Sequence, residues 1–393
     1  MPKEITHCIL AERAVHTLAA AASPDKHAVG REIVFIAERL PQLLYFGSVS
    51  PDIFFYDIKL PWELRVKHRG LFWGELIHGT QGEDSLAHVM VMLDTLRDER
   101  LQANINAGRA FSTEQRDGLL LFVLGYLSHV ALDTVMHPIV YHYAGNYYAP
   151  DRREKLRSEA RHRAIETVLD LYNLAAIDSD LKKFRAKHKL ALPEKWRDLV
   201  LAFYTQSILL AFPEEATRQF GSLTQSEIRR HPLIAVVKRC YKKQSRFNRL
   251  FQNAGIARSG LWYNRKRQDR LHFNSSLLYP AVSYSAYLSK SKGDFFKISD
   301  LQSYRDPVSN REQSIRPQAL QRRALARSHA FFRAAFNYAR GFSHRQDARR
   351  VLKGYSLNNG RVAVPTEKMQ YFSPLQIDGN FRYITQAHHR SST

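Results

Sequence analysis

An apolar stretch from Leu119 to Val135 constrains the fold most, because two ionisable side chains, His129 and Asp133, interrupt it. Ionisable groups are expensive deep in a lipid bilayer, so the stretch favours a helix buried inside a protein over a membrane span. Ser112 and Gln115 precede it with the spacing of a capping box, in which each residue satisfies a free amide of the first turn. The sequence therefore predicts a long, buried helix that begins after Ser112.

Helical periodicity dominates the first 250 residues, and no alternating strand pattern or internal repeat stands out. Glycine and proline clusters separate the periodic segments at 47–51, at 145–150 and at Pro213. We therefore predict an all-α fold built as a multi-helix bundle. The predicted helices are Ala11–Ala22, Arg31–Tyr45, Glu83–Ile105, Thr113–His137, Arg153–Leu174, Glu194–Phe212, Gln225–Gln252 and Pro317–Arg340.

The C-terminal part of the chain has a different composition. Residues 221–393 carry 32 Lys and Arg against 9 Asp and Glu, a net charge of +23, whereas residues 1–220 are close to neutral. We predict a helical domain over 1–220 and a basic, partly irregular C-terminal region over 221–393. Within it, residues 255–314 lack periodicity and suggest irregular or short-stranded structure. The chain after Gly341 either packs as an extended cover or is partly mobile.

The segment Arg229–Arg270 is the most basic, with 13 Lys and Arg against the single acid Asp269. It has two interpretations: a solvated helix face followed by a loop, or a surface that docks onto nucleic acid or an anionic membrane. Aromatic side chains interleave with the charges and would suit stacking on bases or insertion at a membrane surface. They are Tyr241, Phe247, Phe251, Trp262 and Tyr263.

Cysteine content and the first residues bear on cellular location. Two distant cysteines, Cys8 and Cys240, exclude a disulfide framework. The first residues hold no continuous apolar run of the kind that a signal peptide contains. We therefore expect a cytoplasmic protein without a transmembrane segment.

His129, Asp133 and His137 recur at four-residue intervals on the predicted helix. A helix turns about 100° per residue, so these positions fan across roughly 80° of one face. His129 and His137 are about 12 Å apart along the axis and are too distant to share one ion, so Asp133 would bridge two. Imidazole and carboxylate ligands without thiolates favour Zn²⁺ in a hydrolytic site.

Further candidate ligands lie before and after this helix. His162 and Glu166 repeat the four-residue spacing on the next predicted helix. Upstream, His7 lies near the start of the chain, Asp52 lies in a predicted loop, and His78 ends an apolar segment. All three are residue types that ligate zinc.

Two alternatives stay open at this point. His68 competes with His78, although the glycine-flanked position of His78 favours the latter. His142 competes with His137, but Pro138 lies between them and is expected to kink or end the helix, which would take His142 out of register.

The ordered set resembles the zinc-dependent phospholipase C family, whose all-helical fold is shared with the single-strand-specific zinc nucleases. The resemblance covers roughly residues 1–175. It rests on His7, Pro51-Asp52, His78, His129-x3-Asp133, His137 and His162-x3-Glu166.

The resemblance implies two zinc ions and a phosphodiester substrate hydrolysed by a metal-held water, with Asp52 as a candidate general base. Family members commonly hold a third zinc with an N-terminal Trp and the early His, whereas this chain begins Met1-Pro2, so we do not expect a third ion. By position, one zinc would take Asp52, His78, His129 and Asp133, and the other would take His137, His162 and Glu166.

The leading expectation is therefore a zinc-dependent phosphodiester hydrolase of phospholipase C type. A single-strand nuclease activity is the first alternative, which the basic C-terminal region favours. A non-catalytic zinc-containing scaffold that binds nucleic acid or an anionic membrane is the second.

Overall fold

The computed structural model describes residues 4–20, 24–59, 63, 67–221, 230–251, 279–289, 295–314, 316–378 and 381–383. The described chain is predominantly helical, which confirms the predicted all-α fold. In chain order the α-helices are α1 Glu4–Ala19, α2 Pro24–Arg39, α3 Pro41–Val49, α4 Gly70–Ile77, α5 Ala87–Arg97, α6 Glu99–Ile105, α7 Thr113–Ala144, α8 Arg152–Ala175, α9 Leu181–Phe184, α10 Ala186–Lys189, α11 Glu194–Ala211, α12 Pro213–Phe220, α13 Pro232–Phe251, α14 Tyr284–Ser289, α15 Pro317–Ala339 and α16 Arg345–Val351.

Short elements complete the fold. Strands β1 (Ser303–Arg305) and β2 (Glu312–Ser314) pair antiparallel within the region predicted to be irregular or short-stranded. Among the described residues, 3₁₀ helices span Ser50–Tyr56, Ile298–Asp300 and Thr366–Lys368.

Helix α7 is the central element and packs against α1, α3, α5, α8 and α15. Its capping box is confirmed: Gln115 N donates to Ser112 Oγ, and Ser112 N donates to Gln115 Oε1. The helix is long and apolar enough to cross a membrane, but 94% of its most apolar window is buried inside the protein. It is therefore the core helix that the sequence predicts.

The predicted end of α7 at His137 is wrong, because the helix continues through Pro138 to Ala144. A proline within a helix has no N–H to give to the carbonyl four residues earlier, here that of Thr134. Packing on several sides outweighs this loss, since α7 is buried almost throughout.

Other helix boundaries also differ from prediction. The predicted helix 31–45 is divided at Leu40, because Pro41 begins a new helix. The predicted helix 83–105 is divided at Asp98, whose carboxylate accepts from Arg100 N and caps α6. The predicted loop at 47–51 is helical: α3 runs to Val49, and Asp52 lies in the 3₁₀ helix that follows.

Gly47 of α3 and Gly125 of α7 form the crossing point of their helices. A Cβ at Gly47 would lie 2.2 Å from the Phe122 carbonyl oxygen, and one at Gly125 would lie 2.2 Å from that of Leu44. Only glycine allows this approach. The contact fixes the end of α3, and with it Asp52, against α7.

The C-terminal region packs onto the rest of the chain. The predicted amphipathic helix is present as α15, and its apolar face joins the same hydrophobic core as α7. After α16, the described residues 352–378 pack against the rest of the chain in extended form, which was one of the two expectations. The division into domains at residue 220 stays a prediction.

Much of the basic segment Arg229–Arg270 lies outside the described residues, including Trp262 and Tyr263. In the described part, Arg239 pairs with Asp57 at 2.8 Å. Two of the interleaved aromatic side chains face inward: Tyr241 packs edge-on against Phe46, and Phe247 contacts Tyr56. Both side chains remain partly exposed, so the role of these aromatic side chains in stacking or membrane insertion stays a prediction.

Candidate metal centre

The side chains predicted as zinc ligands come together in one buried cluster. They come from α1, the first 3₁₀ helix, the end of α4, α7 and α8, and none is more than 7% exposed. The cluster consists of His7, Asp52, His78, His129, Asp133, His137, His162 and Glu166.

One half of the cluster surrounds His129. Its Nε2 lies 2.8 Å from Asp133 Oδ2 and 3.5 Å from Asp52 Oδ2. The other oxygen of Asp52 lies 3.1 Å from His78 Nε2. Candidate donor atoms of His78, His129 and Asp133 all lie within 4.8 Å of one another, as a single ion requires.

The other half joins α7 to α8. His162 Nε2 lies 3.0 Å from Glu166 Oε1, and His137 Nε2 lies 3.7 Å from the same oxygen. Asp133 Oδ2 is also 3.7 Å from His137 Nε2. The structure thus places Asp133 between the two halves, where helix geometry had put it.

His7 and the two competing histidines differ in position. The His7 ring stacks on His129 with centroids 4.0 Å apart, and its Nε2 lies 3.5 Å from Asp133 Oδ1. In contrast, His68 pairs with Asp57, and His142 Nδ1 donates to the Tyr371 carbonyl. The structure brings neither competitor into the cluster.

In three of the histidines, a hydrogen bond to a backbone carbonyl determines which ring nitrogen faces the cluster. The Nδ1 atoms of His78, His129 and His137 lie 2.7, 2.9 and 2.8 Å from carbonyl oxygens. A carbonyl can only accept, so each Nδ1 carries a proton and each neutral ring turns the lone pair of Nε2 inward. This arrangement is typical of histidines that ligate metals. The acceptors are Gly74, Ser48 and Leu357.

The residues fit a bound cation. In the described chain, Asp133 Oδ2 and Glu166 Oε2 are buried without a well-aligned hydrogen-bond donor. Such atoms are costly unless something else satisfies them. A partly open cavity of about 20 Å³, lined by His7, Asp133, His137 and Glu166 among others, lies beside them. It has room for about one water or ion.

The electrostatics of the cluster favour positive charge. Burial opposes protonation of His129 and His137, but neighbouring carboxylates outweigh it and raise the pKa of both to about 9. Burial opposes ionisation of Asp133 and Glu166, yet the histidines hold the pKa of both carboxyls well below the usual range. Without metal, the carboxylates therefore attract protons onto the rings, and a divalent cation would compete for the same place.

Asp170 lies beside the cluster, and sequence reasoning missed it. Its carboxylate accepts from the backbone amides of Ile5 and Thr6, the first free amides of α1. It thereby fixes the helix start that carries His7. The spacing that joins His162 to Glu166 continues to Asp170, and this signal could have revealed it.

Comparison with protein families decides the relationship. The model of the family described as zinc dependent phospholipase C matches residues 6–211, more than half of the chain. The chain belongs to this family. Comparisons with curated proteins and with solved structures give no match. The zinc-dependent phospholipase C match contains all eight residues of the cluster but ends well before Leu357, which orients His137.

Proposed function

We propose that this protein is a zinc-dependent phosphodiester hydrolase of phospholipase C type. The observation that carries the proposal is the arrangement of His78, His129 and His137, whose Nδ1 protons are held by carbonyls and whose Nε2 atoms face shared carboxylates. Histidines that ligate metals almost always donate their other ring N–H in this way, so the common orientation supports a pair of adjacent metal sites.

Each side chain then has a role in the reaction. Zinc bound here would neutralise phosphate oxygens and lower the pKa of an attacking water. Asp133 holds the two halves at a fixed separation. Asp52, with one oxygen towards His78 and the other towards His129, is positioned to accept the proton of that water.

The buried position of the cluster bears on the substrate, because none of its side chains is more than 7% exposed. The partly open cavity of about 20 Å³ beside Asp133 is smaller than a phospholipid headgroup. This supports a preference for short, water-soluble phosphodiesters over long-chain lipid. The net charge of +23 in residues 221–393 supports single-stranded nucleic acid as a second candidate substrate. The same charge would suit an anionic membrane surface as a partner.

The test combines metal analysis with three kinds of substrate. Zinc-loaded protein is incubated with a short soluble phosphodiester, with choline-headgroup lipid and with single-stranded DNA and RNA. We expect about two zinc ions per chain, loss of zinc and of hydrolysis in Asp133→Asn, and fastest turnover of the soluble diester. Asp117→Asn, on the same helix but paired with Arg340, should keep both properties.

Other outcomes would redirect the proposal. Release of nucleotides without cleavage of the soluble diester or the lipid would favour the nuclease. A chain that binds nucleic acid or anionic vesicles equally well without zinc, and hydrolyses nothing, would favour a scaffold.

A further inference from the structure

A segment near the C-terminus completes the metal centre. Leu357 accepts a hydrogen bond from His137 Nδ1 at 2.8 Å and donates its own amide to the His78 carbonyl at 2.9 Å. One residue therefore contacts both halves of the cluster through its backbone. We call residues Tyr355–Thr366 the cover. The cover lies beyond residues 6–211, so the family match does not account for it.

A proline and a glycine make the docking position of the cover. Pro138 leaves the Thr134 carbonyl without its helical donor. Gly360 of the cover approaches that same carbonyl, and a Cβ at Gly360 would lie 2.2 Å from the oxygen. Gly360 also has φ +71, which favours glycine. The carbonyl of α7 that lacks its helical donor and the residue of the cover that lacks a side chain thus lie against each other.

Asn358 holds the cover down through a buried polar network. Its Oδ1 accepts from Tyr141 Oη at 3.0 Å, and the Tyr141 ring lies 4.9 Å from that of His162. Its amide nitrogen, which has two hydrogens to donate, lies 3.0 Å from Tyr148 Oη and 3.3 Å from Thr80 Oγ1, both outside the cover. The same nitrogen lies 3.1 Å from Thr366 Oγ1 at the end of the cover.

We propose that the cover is a positioning element for the metal centre: Leu357 fixes the orientation of His137, and zinc is held with full affinity only when the cover is docked. The physical reason is that His137 can rotate or change tautomer once its Nδ1 loses an acceptor. Groups that orient metal-bound histidines in this way commonly change metal affinity by about 10- to 100-fold. The inference rests on the zinc centre of the proposed function.

Gly360→Ala tests the cover directly. The new methyl group must displace the cover from Thr134, and we expect zinc affinity, measured by chelator competition, to fall about 10- to 100-fold. The matched control is Gly341→Ala, because Gly341 has a similar φ of +82 but nothing within 4 Å of the added atom. The control should bind zinc like the wild type.

Asn358→Ala is a second variant that introduces no clash and should fold. Here the readout is the rise in Tm that zinc produces, compared with the Tm of the same variant without zinc. A positioning role predicts that the zinc-induced rise shrinks, whereas a merely structural role lowers both temperatures equally. Equal lowering would therefore overturn the inference.

Zinc binding by the wild type separates the two proposals. If the wild type binds zinc and the Gly360→Ala and Asn358→Ala proteins bind it as tightly, the role of the cover is overturned and the proposed function is not. Wild type that binds no zinc would overturn the proposed function and this inference with it.

Discussion

At the scale of single residues, Glu4 is a buried carboxyl whose protonation links the stability of the fold to pH. It lies 4% exposed at the start of α1, and its Oε1 accepts from Tyr56 Oη and Gln244 Nε2. Burial raises its pKa to about 7 from an ordinary 4.5, although these hydrogen bonds oppose the shift. The folded chain thus keeps a proton that the unfolded chain has already lost between these two pH values.

Stability should depend on pH through this carboxyl. The contribution of protonated Glu4 to the free energy of unfolding is complete below pH 4.5 and is lost as pH rises through about 7. In Glu4→Gln the group stays neutral, so the free energy of unfolding, relative to wild type, should increase by up to about 3 kcal/mol from pH 4.5 to 8. Urea unfolding across this range measures it. Glu194→Gln, at a side chain 93% exposed, should show no such trend, and parallel curves for Glu4→Gln would contradict the prediction.

Residue types explain which parts of the site could be read from sequence. Histidines and carboxylates at four-residue spacing can be recognised directly in the sequence, and the eight predicted residues do lie together. The acceptors of the Nδ1 protons are backbone carbonyls of Ser48, Gly74 and Leu357, and every residue has a carbonyl. Residue type therefore gave no sign that Leu357 touches the site.

At the scale of elements, the crossing of α3 and α7 controls the first half of the cluster. Ser48, whose carbonyl orients His129, lies next to Gly47 at this crossing. Gly125→Ala would place a methyl group 2.2 Å from the Leu44 carbonyl oxygen and 2.9 Å from Ser48 N, so the helices must separate.

We expect Gly125→Ala to lower the free energy of unfolding by about 1–3 kcal/mol, as overpacking commonly does, and to weaken zinc binding. Urea denaturation and metal analysis check the two effects. In Gly108→Ala the added atom meets nothing within 4 Å, so only the strain of φ +77 applies and zinc should be retained. Equal zinc affinity in both variants would argue against the role of this crossing.

Helix boundaries were predictable where capping side chains dominate and less so where packing does. The Ser112 and Gln115 box marked the start of α7 correctly, because its partners are local. Pro138 was misread as an end, since neighbouring helices hold α7 together despite the missing hydrogen bond. Distant packing of this kind leaves little trace in a local pattern.

At the scale of the whole molecule, helices from both sides of residue 220 pack together in the described residues. The apolar face of α15 lies against α7, and Phe331, Phe332 and Phe336 are at most 2% exposed. A chain cut after residue 220 would expose the α7 surface that these rings cover. We predict that residues 1–220 alone show no cooperative unfolding, and that adding residues 221–393 as a separate chain restores it.

Circular dichroism during urea titration measures this cooperativity. A fragment 1–220 that unfolds cooperatively and binds zinc as tightly as the full chain would support the predicted division at residue 220 instead.

The cytoplasmic location and the nucleic-acid or membrane partners of the basic region stay predictions.

The contact between His137 and Leu357 also has a consequence for biosynthesis. Glu166, the last residue of the cluster, and Leu357 are 191 residues apart in the chain, so at 5–20 residues per second a ribosome needs roughly 10–40 s to pass from one to the other. During that interval all the histidines and carboxylates of the cluster have been synthesised, while the acceptor for His137 has not. On the proposed role of the cover, tight binding of zinc therefore waits until Leu357 has been synthesised, and a chain that stops before Leu357 should hold zinc more weakly.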